Sequence, residues 1–282
     1  MYRRVLVGAL IVSLGSVFAT SALAAPFSFS TGAPDGRIAT LSRTASTGKL
    51  ETETADDFVT TGTTLITSAT FTGLLVGGAT TANIQNVEIE LYHVFPFEST
   101  NPPDGRVLTR MNSPSDNNFA AADGALGQLT FTTTVLNPSF MAANSVVNGI
   151  HALPNQFTGG EGPVTGTEVQ INVTFTTPFL LGADHVFFRP EVNLGSAGDF
   201  LWLSASGPPN FAGDLQTWIR NDGLGALAPD WERIGTDVTH QGPFNAAFSL
   251  SGEIIPEPST LFLLGIGLGG LVGLERRRRG RR

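Results

Sequence analysis

The chain of 282 residues contains no cysteine. That absence removes disulfide staples, thiol nucleophiles and cysteine-ligated zinc or iron–sulfur sites together. Histidine is scarce: His93, His151, His185 and His240 show none of the His-x-x-x-His or His-Glu-x-x-His spacings that place two imidazoles on one metal. No serine lies in a Gly-x-Ser-x-Gly elbow, so a serine hydrolase has no local support. Helical periodicity with caps is missing from the whole central part, where the best candidate is a single turn near Phe140 to Asn144. No self-similarity recurs at a fixed period, which excludes propellers and solenoids.

What is present is concentrated at the two ends. Met1-Tyr2-Arg3-Arg4 is a basic leader, Val5 to Phe18 is apolar, and Ala22-Leu23-Ala24 places small residues where a signal peptidase reads them. Residues 1–24 therefore form a secretory signal peptide cleaved after Ala24. At the other end, Pro256-Glu257-Pro258 precedes an uncharged segment of about 259–274 and the cluster Arg276-Arg277-Arg278-Arg279-Gly280-Arg281-Arg282. Two prolines around Glu257 forbid a helix and hold an extended, accessible backbone. The uncharged segment can satisfy its backbone in lipid only as a helix, and at about 1.5 Å per residue it spans roughly 24 Å, a short crossing. The arginines do not cross a bilayer cheaply, so Arg276, Arg277, Arg278 and Arg279 set orientation and leave everything before Pro256 on the outer side. Gly265, Gly269 and Gly273 form a small-residue stripe suited to helix contact.

This three-part tail resembles the PEP-CTERM sorting signal, on Pro256, Glu257, Pro258, the glycine-interrupted apolar segment and the arginine cluster. The resemblance implies that an exosortase, a membrane enzyme of bacteria that also make exopolysaccharide, recognises residues 253–282 and removes them near the Pro-Glu-Pro. It implies a precursor held in the inner membrane of a Gram-negative-type bacterium by its C-terminal helix. The processed protein then goes to the cell surface or extracellular matrix. Two phrases of the body, Thr54-Ala55-Asp56-Asp57-Phe58-Val59 and Pro229 to Asp237, are similar to stretches of other bacterial surface β-domains, a likeness that brings no assigned activity.

Between Ala25 and Ile255 the chain keeps eight basic residues, Lys49 the only lysine among them, against 22 acidic ones, a net charge of about −14. Nucleic acid and anionic lipid both need positive charge to displace counterions, so neither is a partner of this body. Threonine, valine and phenylalanine are frequent, and glycine and proline cut them into short pieces. Glu168 to Phe175 alternates polar and apolar without a slip, with Pro178 expected to end the run; Val87 to Tyr92 and Leu129 to Val135 do the same. Shorter candidates are Phe27–Ser30, Arg37–Leu41, Asp57–Thr60, Ala69–Leu74, His185–Val192, Phe200–Ser204, Thr217–Arg220, Trp231–Ile234 and Ala246–Ser251. A dozen short strands predict an all-β fold over 25–252: a single antiparallel β-sandwich of jelly-roll type, in preference to a closed barrel.

Functional candidates within the body are few. Asp56, Asp57, Glu88, Glu90 and Asp230 could supply the carboxylate pair of an extracellular glycoside hydrolase, though Glu88 and Glu90 share a solvent face where they serve solubility equally well. Asp-Gly corners at Asp35, Asp104, Asp123 and Asn221-Asp222 could offer oxygen atoms to Ca2+, yet the Asp-x-Asp-x-Asp-Gly loop is absent and the same dipeptides build ordinary tight turns. Trp218 and Trp231, beside Arg220, Asp230 and Arg233, are candidate sugar platforms, whereas Trp202 sits in an apolar run expected to be buried. The sequence thus predicts a non-enzymatic exported protein with no resident cofactor, structural or adhesive within exopolysaccharide and biofilm. A carbohydrate-binding module is the alternative.

Overall fold

Alternating apolar side chains in short runs can be buried only if one sheet face is covered by another, and the computed structural model shows two such sheets face to face. It describes residues 24–95, 111–148, 150, 157–207, 216–223, 231–256 and 267. The expected signal peptide, apart from an exposed Ala24, and the tail from Glu257 onward, apart from Gly267, lie outside these residues. Among the described residues no helix is long and apolar enough to cross a membrane.

In chain order the strands are β1 (Ala25–Ser30), β2 (Pro34–Leu41), β3 (Thr52–Thr60), β4 (Thr64–Val76), β5 (Asn86–His93), β6 (Ala120–Asp123) and β7 (Leu129–Ala142). They continue with β8 (Asn144–Val146), β9 (Val164–Leu181), β10 (Asp184–Asn193), β11 (Asp199–Ala205), β12 (Trp218–Asn221), β13 (Glu232–Arg233) and β14 (Phe248–Ile254). The first sheet is built on β4. Along its length β4 pairs with β9, which also carries β7, while β14 pairs with Thr64–Phe71 and β11 with Gly73–Val76. From β14 the sheet continues to β1, and from β11 to β2 and then β8, the one parallel pairing among the described residues. Gly73 stands where the two partners meet: a Cβ there would come within 2.4 Å of the Phe200 ring and 2.5 Å of the Leu201 carbonyl oxygen. The second sheet runs β13-β12-β3-β10-β5-β6, entirely antiparallel.

Phe71 from β4 anchors the space between the sheets. Its ring meets those of Phe200 and Trp202 edge-on at 5.6 and 6.5 Å and reaches Phe188 of the opposite sheet at 6.3 Å. Phe188 stacks on Phe248 at 5.1 Å, and Val169, Ile171, Val173 and Phe175 of β9 face Val87, Ile89 and Leu91 of β5 within the same core. The sandwich expected from the alternation is therefore present, with no closed barrel, and every predicted strand falls on or overlaps an observed one.

Two local expectations are corrected. Pro178 does not end its strand: β9 runs on to Leu181 because the register skips between Thr174↔Ser68 and Phe179↔Ile66, and a proline inside that irregularity owes the ladder no amide. The turn expected near Phe140 to Asn144 is instead the end of β7 and the start of β8, where Phe140, Met141 and Ala142 pair with Gly166, Thr165 and Val164. Cross-strand partners decide what a weak local helical preference does not.

Removing the Phe71 ring leaves a void bordered by three rigid aromatics that cannot collapse into it. We expect Phe71→Ala to cost about 3–5 kcal/mol in equilibrium urea unfolding; a loss below ~1 kcal/mol would show that the two sheets are not held by this cluster.

Candidate functional site

Period-two alternation that points Phe188 and Ile89 into the sandwich points their neighbours out of the second sheet's other face. That face carries Glu53, Ala55 and Asp57 from β3, Phe187, Arg189 and Glu191 from β10, Glu88, Glu90 and Tyr92 from β5, and Trp218 and Arg220 from β12. An uncovered face of this kind would be wet. Here a further layer lies on it, formed by Trp231 and the segment Ser113–Asp116, so that Ala55, Tyr92, Phe187, Trp218 and Trp231 make a small core of their own.

Charge is enclosed with them. Arg189, only 2% exposed, places Nη2 2.8 Å from Glu53 Oε1 and against Glu90 Oε2, and Nη1 2.6 Å from Glu191 Oε2. Arg220 pairs through Nε with the second oxygen of Glu53, donates from Nη1 to the Asp116 carbonyl at 3.0 Å, and lies over the Trp231 ring at 4.4 Å. The Tyr92 hydroxyl sits between Glu53 and Glu90 and accepts from Arg220 Nη2 at 3.3 Å. Glu53, Glu51 and Glu191 converge so that one oxygen from each lies within 4.8 Å of the others, the only such set of potential metal ligands among the described residues.

Five carboxylates share this space with two guanidiniums, and their titration separates accordingly. Burial pushes Glu53 up, but the Arg220 and Arg189 charges and the hydrogen bonds from Arg220 and Tyr92 outweigh it and hold it below the usual range. Glu191 goes well above that range, raised by burial and by Glu53, Glu51 and Glu88, with Arg189 opposing. Burial also raises Glu51, helped by the charge of Glu53, and takes Glu88 from 4.5 to about 7, against Arg189 and with Glu90, Asp123 and Glu51 adding.

The residues singled out from sequence fall as follows. Trp218 and Trp231 are both 0% exposed, so the sugar platform expected of them is withdrawn: Trp231 donates Nε1 to the Ser115 carbonyl at 3.1 Å and packs edge-on against Tyr92, leaving no face for a ring. Trp202 is buried as expected and donates to the Ala247 carbonyl at 2.9 Å. The Asp-Gly corners cap their own turns, with Asp35 accepting from the Arg37 amide, Asp123 from the Ala125 amide and Asn221 from the Gly223 amide; Asp104 lies outside the described residues. Of the proposed acid pairs, Asp56 accepts from the amides of Ala246 and Asp57, Asp57 lies 2.7 Å from His185 Nε2, and Glu88 and Glu90, expected in solvent, are half-buried beside Arg189. Asp230 and His151 are outside the described residues. His93 lies 3.0 Å from Asp184 and stacks on Phe119, and His240 packs against Phe157.

At the two ends of the described body the geometry is simple. β1 is paired with β14 over its whole length, from Ser30↔Ser249 to Ala25↔Ile254, so the residue after the expected signal-peptide cut sits opposite the last residue of the last strand. The Ile255 amide still donates to Thr63 at 2.8 Å; Pro256, next in line, has no amide hydrogen and the ladder stops. Pro256 is partly accessible, while Ala22, Glu257, Pro258 and Arg276 to Arg279 lie outside the described residues.

The PEP-CTERM protein-sorting motif matches residues 255–279, starting at that last hydrogen-bonded residue. No curated protein and no solved structure matches the chain. What fold and motif define together is an antiparallel β-sandwich joined directly to an exosortase sorting signal. The motif implies an exported protein of the cell surface or extracellular space, processed by an exosortase.

The folded state holds the Glu88 proton more tightly than an unfolded chain does, so this carboxyl's contribution to stability is complete below pH 4.5 and is lost as pH rises through about 7. We expect thermal unfolding to show a smaller decline in melting temperature across that window for Glu88→Gln than for the unaltered protein. Parallel pH profiles for the two would contradict the assignment.

Proposed function

We propose that the protein is a structural or adhesive component of the extracellular matrix, acting without catalysis, whose two terminal segments serve delivery alone. The signal peptide is removed after Ala24, the C-terminal helix holds the precursor in the inner membrane, and cleavage near Pro256-Glu257-Pro258 releases an acidic β-sandwich into exopolysaccharide. The observation that carries this reading is the sorting motif over residues 255–279, abutting the end of β14 with no intervening linker.

Its chemistry follows from the placement. A protease needs extended, unpaired backbone, and the last sheet hydrogen bond among the described residues falls at Ile255, with Pro256 and Pro258 following it in sequence. A non-catalytic role is supported by three of the body's carboxylates being committed to structure: Asp56 to two backbone amides, Glu53 and Glu90 to the buried guanidiniums. Its acidic surface suits solubility in a hydrated matrix and does not suit binding to anionic polymers.

Intact-mass measurement on protein recovered from cells with and without the exosortase tests the reading. We expect both terminal segments to be missing when the enzyme is present. The C-terminal one should persist when the enzyme is absent or when Pro256, Glu257 and Pro258 are all replaced by alanine. A surface-delivered product that still ends at Arg282 in exosortase-positive cells would refute it.

A further inference from the structure

We propose that the outer face of the second sheet binds a divalent cation, calcium by its ligand chemistry, through Glu51, Glu53 and Glu191. The inference is separate from the delivery reading above and concerns a part of the body that the sorting signal does not touch.

Three observations carry it. First, one oxygen from each of the three carboxylates lies within 4.8 Å of the other two, a spacing that a single ion with Ca–O distances of about 2.3–2.6 Å can bridge. Second, Glu191 is 0% exposed and neither of its oxygens accepts a hydrogen bond; Oε2 lies 2.6 Å from Arg189 Nη1 without the alignment of one, and Oε1 has no partner. A buried carboxylate oxygen without a donor is costly, and a metal ion supplies what the surrounding side chains do not. Third, the charges do not balance. Glu191 stands directly opposite Glu88 on the neighbouring strand, an unfavourable juxtaposition. Five carboxyl groups, Glu51, Glu53, Glu88, Glu90 and Glu191, share this layer with two guanidiniums, Arg189 and Arg220.

The ligand type selects the metal. All three donors are carboxylate oxygens with no imidazole or thiolate, which favours a hard cation. Glu51, half-buried just before β3, gives the ion a side open to water for entry and for its remaining ligands. Arg189 stays beside the ion as a fixed counter-charge to Glu90 and Glu53, limiting affinity to the weak range of extracellular calcium modules, about 10⁻⁴–10⁻³ M.

The test is titration of CaCl2 into the full chain, stripped with chelator and held in detergent, followed by calorimetry. Terbium emission excited through tryptophan is the second readout, since Trp231 packs on Arg220 next to Glu53. One ion per chain is expected. Glu191→Gln and, independently, the more accessible Glu51→Gln should weaken binding about tenfold or more, with melting temperatures in chelator no lower than the parent's. Asp35→Asn and Asp123→Asn, at the Asp-Gly corners, should leave binding unchanged. Absence of calcium binding by the parent, or binding that survives Glu51→Gln in a folded protein, would overturn the proposal, as would binding lost in the corner variants alone. Should Glu191→Gln fail to fold, the Glu51→Gln result decides.

Discussion

The guanidinium of Arg189 cannot reach bulk water, and the second sheet is arranged around that fact. A buried cation is tolerated only with its counter-charges in place, and Glu53, Glu90 and Glu191 come from three different strands to meet it. Once they are there, the negative charge needs Arg220, and Arg220 needs a low-polarity roof, supplied by Trp231 and the Ser113–Asp116 segment. A face that would otherwise be half-wet becomes a third layer. β3 and β10 are consequently buried on both sides, and the large aromatics late in the chain are recruited as cover for the charge network.

This dependence explains which features the sequence disclosed. Strand positions and the sandwich class were legible because alternation is a local signal: Val169, Ile171, Val173 and Phe175 announce their shared face within seven residues. The sorting signal was legible for the same reason, its proline pair, apolar segment and arginines being contiguous. The charge network was not. Its ion pairs join strands far apart in the chain, 99 residues between Glu90 and Arg189 and 167 between Glu53 and Arg220, and Glu88 and Glu90 read alone carry the pattern of an ordinary solvent face. Trp218 and Trp231 misled in the same way, since a tryptophan next to charged residues has one appearance in sequence whether it meets a sugar or roofs an arginine. Pro178 marks a further limit, because strand termination by proline presumes a regular ladder and the β4–β9 register is irregular at that point.

Body and address label are mechanically distinct but chemically adjacent. The last pairing of β14 brings Ile254 against Ala25, so the sandwich is closed by the residues that flank the expected cuts. Such an arrangement lets one body fold while still tethered and remain folded after release.

The seating of β14 also determines how the body would withstand being pulled. It lies between β1 and β4, antiparallel to each, with rungs on both flanks from Ser249 to Ile254. A tug on the chain at residue 255 would act along the strand axis, so the flanking hydrogen bonds would be loaded together in shear rather than peeled one at a time. While the body is still held by its tail, that is the direction in which a sheet yields last.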